Sequence, residues 1–251
     1  MKFLFSLLLS LNLASVSIFG TVFASQMLKK TAPAKANVVS ADMILKRADD
    51  VRCPSVSYFM EVNVVNRNGD ETVKVEVYTQ GRDRTRVNTI APMRDRGRNM
   101  LMVGEDMWAY IPNLRRSVRI ALNQKLAGQA AIGDVSRMRW WGDYKAAVLS
   151  EDKKAWLLGL TATKKGLTYE KVKVRVEKRT FRPLDADYLS GNGMILKRAK
   201  FTDYRKVAGA VRPTTIVITD SHNPEDSSTL KITKLEQRES PDRYFNQNNL
   251  K

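Results

Sequence analysis

From Val56 to Val64 an apolar residue stands at every second position (Val56, Tyr58, Met60, Val62, Val64), with Glu61 and Asn63 among those between them. That period of two predicts a strand with one buried face. ETVKVEVYT at 71–79 repeats it, with Val73, Val75 and Val77 inward and Lys74 and Glu76 outward; the intervening NRNGD carries Asn-Gly, so the two runs predict an antiparallel hairpin. RNMLMVGEDMWAYIPNLRRSVRI, residues 98–120, breaks at GED and PNL into three further strands. Alternation there pairs Met100 with Met102, Trp108 with Tyr110, and Val118 with Ile120, and adjacent strands would bring these pairs to one face. Two readings stay open for them: core beneath a helix, or lining for a ligand, to which methionine's flexible and polarizable chain is suited.

YEKVKVRVEK at 169–178 is again strictly alternating, FRPL at 181–184 is a break, and residues 185–204 read as a hairpin turning in the glycine-rich 190–193. VRPTTIVITD and SSTLKITKLEQ follow, joined by SHNPED. Helical period is confined to the start, where Ser40 precedes Met43, Ile44, Ala48 and Val51; Ser40 predicts an N-cap and Asp42 suits the dipole. Residues 121–144 lose all periodicity, with glycines at 128, 133 and 142, yet hold Met138, Trp140 and Trp141. They predict a mobile connection with a short helix, a candidate flap. The fold class is therefore mainly β with a few helices, about ten or eleven strands and two or three helices.

The first residues change the setting. MKFLFSLLLSLNLASVSIFGTVFAS has one basic residue, a long apolar run and Val22-Phe23-Ala24, which predicts a cleaved signal over 1–24 and export to the periplasm. An uncleaved anchor is the alternative, since about 20 apolar residues cross a bilayer. A polar tether at 25–39 and a single domain at 40–251 follow. Cys53 is the only cysteine, so an exported chain has no internal disulfide to rely on.

The formal charge is +17, with a pI near 10. Such a balance attracts anionic surfaces; in the envelope these are lipid and lipopolysaccharide phosphates, not nucleic acid. Residues 82–119 hold nine arginines and no lysine, and Arg82, Arg84, Arg86, Arg115, Arg116 and Arg119 are the candidate contacts with an anionic membrane surface. A solvated face paired with Asp83, Asp95 and other acids is the other reading. Catalytic chemistry has no visible carrier. His222 is the only histidine and sits in a polar loop, one His with one Cys cannot supply the usual zinc sets, and neighbouring acids such as Asp49 and Asp50 or Asp185 and Asp187 establish no separation across a substrate. The chain reads as a non-enzyme without cofactor or metal.

Three segments resemble one family. W-x-Y-x-P-x-L-R-R-x-x-R at 108–119, F-x-D-Y-x-x-V-x-G-x-x-x-P at 201–213 and YFNQNNL at 244–250 are similar to outer-membrane lipoprotein-sorting proteins related to the periplasmic carrier LolA. The resemblance implies an incomplete, strongly curved antiparallel β-barrel closed by helices over an apolar cavity. It also implies lipid or lipoprotein acyl chains as cargo, and an inner-membrane transporter of the resistance-nodulation-division or ABC class as partner. RMRWW at 137–141 is more basic and aromatic than that family's pattern. Where the resemblance and the residues meet, the cargo-lining candidates are Tyr58, Met60, Val62, Val75, Met100, Met102, Trp108, Tyr110, Val118 and Ile120, in a trough that the early helix cannot cover alone. The expected function is a monomeric, noncatalytic carrier peripheral to the membrane, with a transporter-docking or anionic-surface module as the alternative.

Overall fold

The computed structural model describes residues 39–67 and 72–251. The expected signal at 1–24, the tether up to residue 38 and the Asn68-Gly69 turn lie outside the described residues.

Helix α1 (Ala41–Arg52) starts where Ser40 Oγ accepts from Met43 N at 3.2 Å, satisfying a free amide of the first turn. Its last carbonyls, those of Asp50 and Val51, accept from the Arg212 guanidinium, a cation at the negative end of the helix. The buried face differs from the expected one: Ile44, Leu45, Ala48, Asp49 and Arg52 are buried, and Met43 is exposed. Two charged side chains thus share the face that looks into the protein.

Six strands follow as a meander: β1 (Tyr58–Asn66), β2 (Val73–Gln80), β3 (Arg84–Ala91), β4 (Met100–Val103), β5 (Asp106–Ile111) and β6 (Arg116–Arg119). A small separate sheet, β7 (Lys125–Ala127) with β8 (Ala130–Ala131), and the short helix α2 (Gly133–Ser136) come next. A second meander closes the chain: β9 (Tyr144–Glu151), β10 (Ala155–Ala162), β11 (Lys171–Glu177), β12 (Pro183–Leu189), β13 (Ile195–Val207), β14 (Ala210–Asp220) and β15 (Ser227–Gln237). The turn between β12 and β13 falls at 190–193 as expected, but the break expected over FRPL ends at Arg182, since Pro183 and Leu184 already belong to β12.

Pairing of β1 with β15 fuses the meanders into one 13-stranded antiparallel sheet, ordered β6-β5-β4-β3-β2-β1-β15-β14-β13-β12-β11-β10-β9. It is not a closed barrel: β6 and β9 are its edges. Register shifts at Glu61/Val62, Lys74/Val75, Leu157/Leu158 and Arg175/Val176 insert the irregularities that bend and twist strands. The bending brings the margins towards each other. Lys164, next to the end of β10, reaches Glu105 in the β4–β5 turn at 2.6 Å. Likewise α1 packs on β9, β12 and β14 while its Asp49 contacts Arg82 just before β3.

Topology then dictates the path of residues 120–143. The chain leaves the sheet at edge β6 and must re-enter at edge β9, about 58 Å away across twelve interstrand spacings measured along the sheet. Crossing the concave side is the shorter route, and the segment takes it: Leu122, Ala127, Ala130, Ile132, Val135, Met138 and Trp140 all join the core cluster formed by the concave side chains.

The outer face is not bare. The C-terminal segment, with 3-10 turns at Asp242–Phe245 and Gln247–Asn249, lays Phe245 and Leu250 against Leu101, Tyr78, Trp108 and Tyr110.

Candidate functional site

The concave face is the candidate site. Tyr58, Met60, Val62 and Val75 line it and are buried, as do Met100 and Met102 beside Val87 and Met107. Val118 opposes Ala109 and lies on this face, and Ile120 packs against the same cluster. Trp108 and Tyr110 do not. Trp108 opposes Leu101 and Arg119, Tyr110 opposes Ser117, and both rings pack on the outer face beneath the C-terminal segment. The cause is register. Met100 and Met102 oppose Ala109 and Met107, so in β5 the smaller alternate residues turn inward and the aromatic ones outward.

The arginine expectation divides too. Arg82 lies in a turn before β3; its Nη2 is 3.4 Å from Asp49 and donates to Trp141 O at 2.8 Å. Arg86 is buried, its Nη1 2.7 Å from Asn249 O and its Nη2 3.2 Å from Lys251 O, so it clamps the C-terminal segment. Burial lowers its pKa. Arg84, Arg115, Arg116 and Arg119 are exposed, with Arg119 paired to Asp106 at 3.0 Å. Four of the six are therefore exposed, Arg86 is an internal fastener, and the half-buried Arg82 is tied to α1 and the filling segment.

The expected flap occupies the trough. Between sheet, α1 and this segment lie two pockets of about 30 Å³ each. That is room for about two water molecules apiece. An unfilled acyl-sized cavity closed by helices is thus corrected: α1 and residues 121–144 together fill the space. The filling segment makes its own two-stranded sheet and adds no strand to the main one.

Charged groups hold it there. Asp49, reaching in from α1, accepts from Trp140 N at 2.9 Å and Trp141 N at 3.1 Å, and Arg52 lies 3.5 Å over the Trp140 ring. Arg137 grips Asp143 with two bonds of 2.6 and 2.7 Å and donates to Gly104 O at 2.9 Å, tying the segment to the β4–β5 turn. Arg139 joins Asp143 at 3.1 Å and Asp83 at 2.8 Å, and donates to Arg82 O. On α2, Asp134 accepts from Ala131 N at 2.8 Å and from Tyr169 Oη at 3.1 Å. Gly128, at φ +51, leaves no room for a side chain, since a Cβ there would stand 1.9 Å from Asn66 Oδ1.

Burial pushes the carboxyl pKa of Asp49 up, outweighing Arg52, the two tryptophan amides and Arg82. Burial does the same to Asp134. Burial also pushes on Asp143, but the bonds and charges of Arg137 and Arg139 bring it below the ordinary value. Cys53, buried beside Asp49, has its thiol pushed up to about 12, and a thiol so held is inert. Asp49, Asp134 and Asp143 each act as a fastening of the filling segment.

Sequence reasoning named Asp49 only as a neighbour of Asp50 and Arg137 only within RMRWW, and missed the fastening role of both and of Arg52 and Asp143. A signal existed for Asp49 and Arg52, which stand at helical spacing from Ile44, Leu45 and Ala48, on the stripe that had to be buried.

A family model described as "Uncharacterized protein" matches residues 81–251. No curated protein matches the chain. Among solved structures, a LolA superfamily protein from Nitrosomonas europaea is 30% identical, with a TM-score of 0.77 over 84% of this chain and 99% of that one. A putative outer membrane lipoprotein-sorting protein domain from Vibrio parahaemolyticus is 21% identical with a TM-score of 0.68, covering 84% and 97%. A DUF1329 family protein from Desulfovibrio piger is 20% identical with a TM-score of 0.71, covering 84% and 98%. The latter two share the fold. With the open antiparallel sheet in place and that identity sustained along nearly all of the Nitrosomonas protein, this chain belongs to the LolA superfamily.

Proposed function

We propose that the protein is a noncatalytic carrier in the periplasm that takes the acyl chain of a lipidated protein, or another lipid, into the trough in exchange for residues 121–144. The observation that carries the reading is the nature of the filling. An apolar face built from Met60, Val62, Val75, Met100 and Met102 is covered by a segment that shares no backbone ladder with the main sheet and is held to it by the Arg139–Asp83 ion pair and by hydrogen bonds of Asp49 and Arg137. Membership of the LolA superfamily supports a carrier-type function, and no comparison points to an enzyme family. The expected signal at 1–24 supports the compartment, and among the described residues no helix is long and apolar enough to cross a membrane.

Energetics allow the exchange. Burying an acyl chain of about 400 Å² yields ~10 kcal/mol at ~25 cal/mol per Å². Uncovering Leu122, Ile132, Val135, Met138 and Trp140 costs a comparable amount at ~1.5–3 kcal/mol each. Near balance suits a carrier that must also release, and the polar latch then sets the resting state.

Mass spectrometry of protein purified without detergent from its own envelope tests this. Acyl-bearing molecules at near-stoichiometric ratio are expected; their absence, with no uptake of added lipid, overturns the reading. The surface-docking alternative draws on Arg84, Arg115 and Arg116, which stay exposed. Under it, reversing Arg115 and Arg116 to Glu weakens binding to anionic vesicles in a salt-sensitive way while lipid occupancy is untouched.

A further inference from the structure

At one end of the trough the molecule opens into a groove of about 840 Å³, within the size range of small-molecule sites. Its apolar part includes Leu167 and Leu189, both buried, and the half-buried Leu196. Four lysines line it, Lys164, Lys165, Lys171 and Lys197, against a single acid, Glu170. Lys164 is committed to Glu105 at 2.6 Å. The other three form no ion pair with any described residue.

Lys197 is the most constrained of them. It opposes Tyr188 on the concave side, and its Nζ donates to Gln129 O at 2.6 Å, on the segment that fills the trough. Burial lowers its pKa; Asp134, Asp220 and Asp226 work against that shift and Lys125 adds to it. A partly desolvated ammonium beside a second cation gains from an anion brought next to it. The groove also shares Leu167, Thr168 and Tyr169 with the small cavity lined by Gly133 and Asp134, so its inner end abuts α2. Cationic rim, apolar floor and contact with the movable segment occur together.

We infer that this groove is the head-group site for a single-chain amphiphile with an anionic head, carboxylate or phosphate, which Lys165, Lys171 and Lys197 take while the tail lies over Leu167 and Leu189 towards α2. This rests on the carrier reading and specifies its ligand class. Neutral cargo would leave three lysines in the groove against the single acid Glu170.

Displacement of a fluorescent acyl probe from the full chain tests it, using palmitate and 1-palmitoyl lysophosphatidylglycerol against hexadecanol and 1-palmitoyl lysophosphatidylcholine. The anionic pair should displace the probe at about 10-fold lower concentration, as one or two exposed charge-assisted contacts allow. The preference should shrink as salt rises and vanish in the Lys165→Gln, Lys171→Gln, Lys197→Gln variant. Palmitate against the lysophospholipid tells which anion fits. Equal displacement by all four, or a preference indifferent to salt, overturns the inference and leaves the carrier reading standing. A probe that never binds overturns both. The salt series on the unaltered chain decides the matter even if the triple variant misfolds.

Discussion

Asp49 and Asp134 are the residues on which the resting state turns: Asp49 of α1 accepts from two amides of the filling segment, and Asp134 within that segment accepts from Tyr169 Oη outside it. Both have raised pKa values. For a carboxyl raised in the folded state, the folded protein binds more protons than the unfolded chain between the ordinary value of 3.8 and the raised one. Stability therefore increases as pH falls through that window. Asp143 is lowered, so its contribution is complete above the ordinary value and is lost only as pH drops below it. Thermal melting should accordingly show Tm rising as pH falls through that window towards 3.8, with a shallower rise in Asp134→Asn, whose amide no longer titrates. A variant with an unchanged slope would contradict a buried, charge-penalised Asp134.

Elements were legible in the sequence where one face is buried and the other wet. The alternation in β1, β2 and β11 and the turn between β12 and β13 are examples, because period two and turn chemistry act locally. The inward set of β5 was not: Met107 and Ala109 alternate as regularly as Trp108 and Tyr110, and only the outer cover supplied by residues 240–251 makes the aromatic side also a buried one. A strand covered on both faces hides its orientation. The latch was hidden for a related reason, since Asp49 and Arg137 meet their partners across 91 and 33 residues of chain. The outer cover itself yields a prediction. Arg86→Ala removes the buried guanidinium that binds the carbonyls of Asn249 and Lys251. It should cost ~1.5–3 kcal/mol in urea unfolding and make the terminal segment an early site of proteolytic cutting. Unchanged stability and protection would show that the apolar contacts of Phe245 and Leu250 suffice.

At the scale of the whole molecule, one topological fact organises the rest. A meander that ends on one edge of an open sheet and resumes on the other forces its connection across the sheet, and curvature turns that connection into the filling of its own trough. The segment is fixed at both ends, so the proposed exchange would swing it aside without releasing it, uncovering Met60, Val62, Val75, Met100 and Met102. The carrier account stands on that movement. Gly133 of α2 offers a way to block it: a Cβ placed there lies 3.0 Å from Thr168 Cβ, a little inside disulfide spacing, and replacing Thr168 as well removes the crowding hydroxyl and methyl groups. The decisive measurement is acyl-probe binding to the Gly133→Cys, Thr168→Cys protein before and after reduction. The account predicts at least ~10-fold weaker binding while the disulfide holds α2 in place and recovery when it is reduced, a change of about 1.4 kcal/mol or more; equal binding in the two states would contradict it.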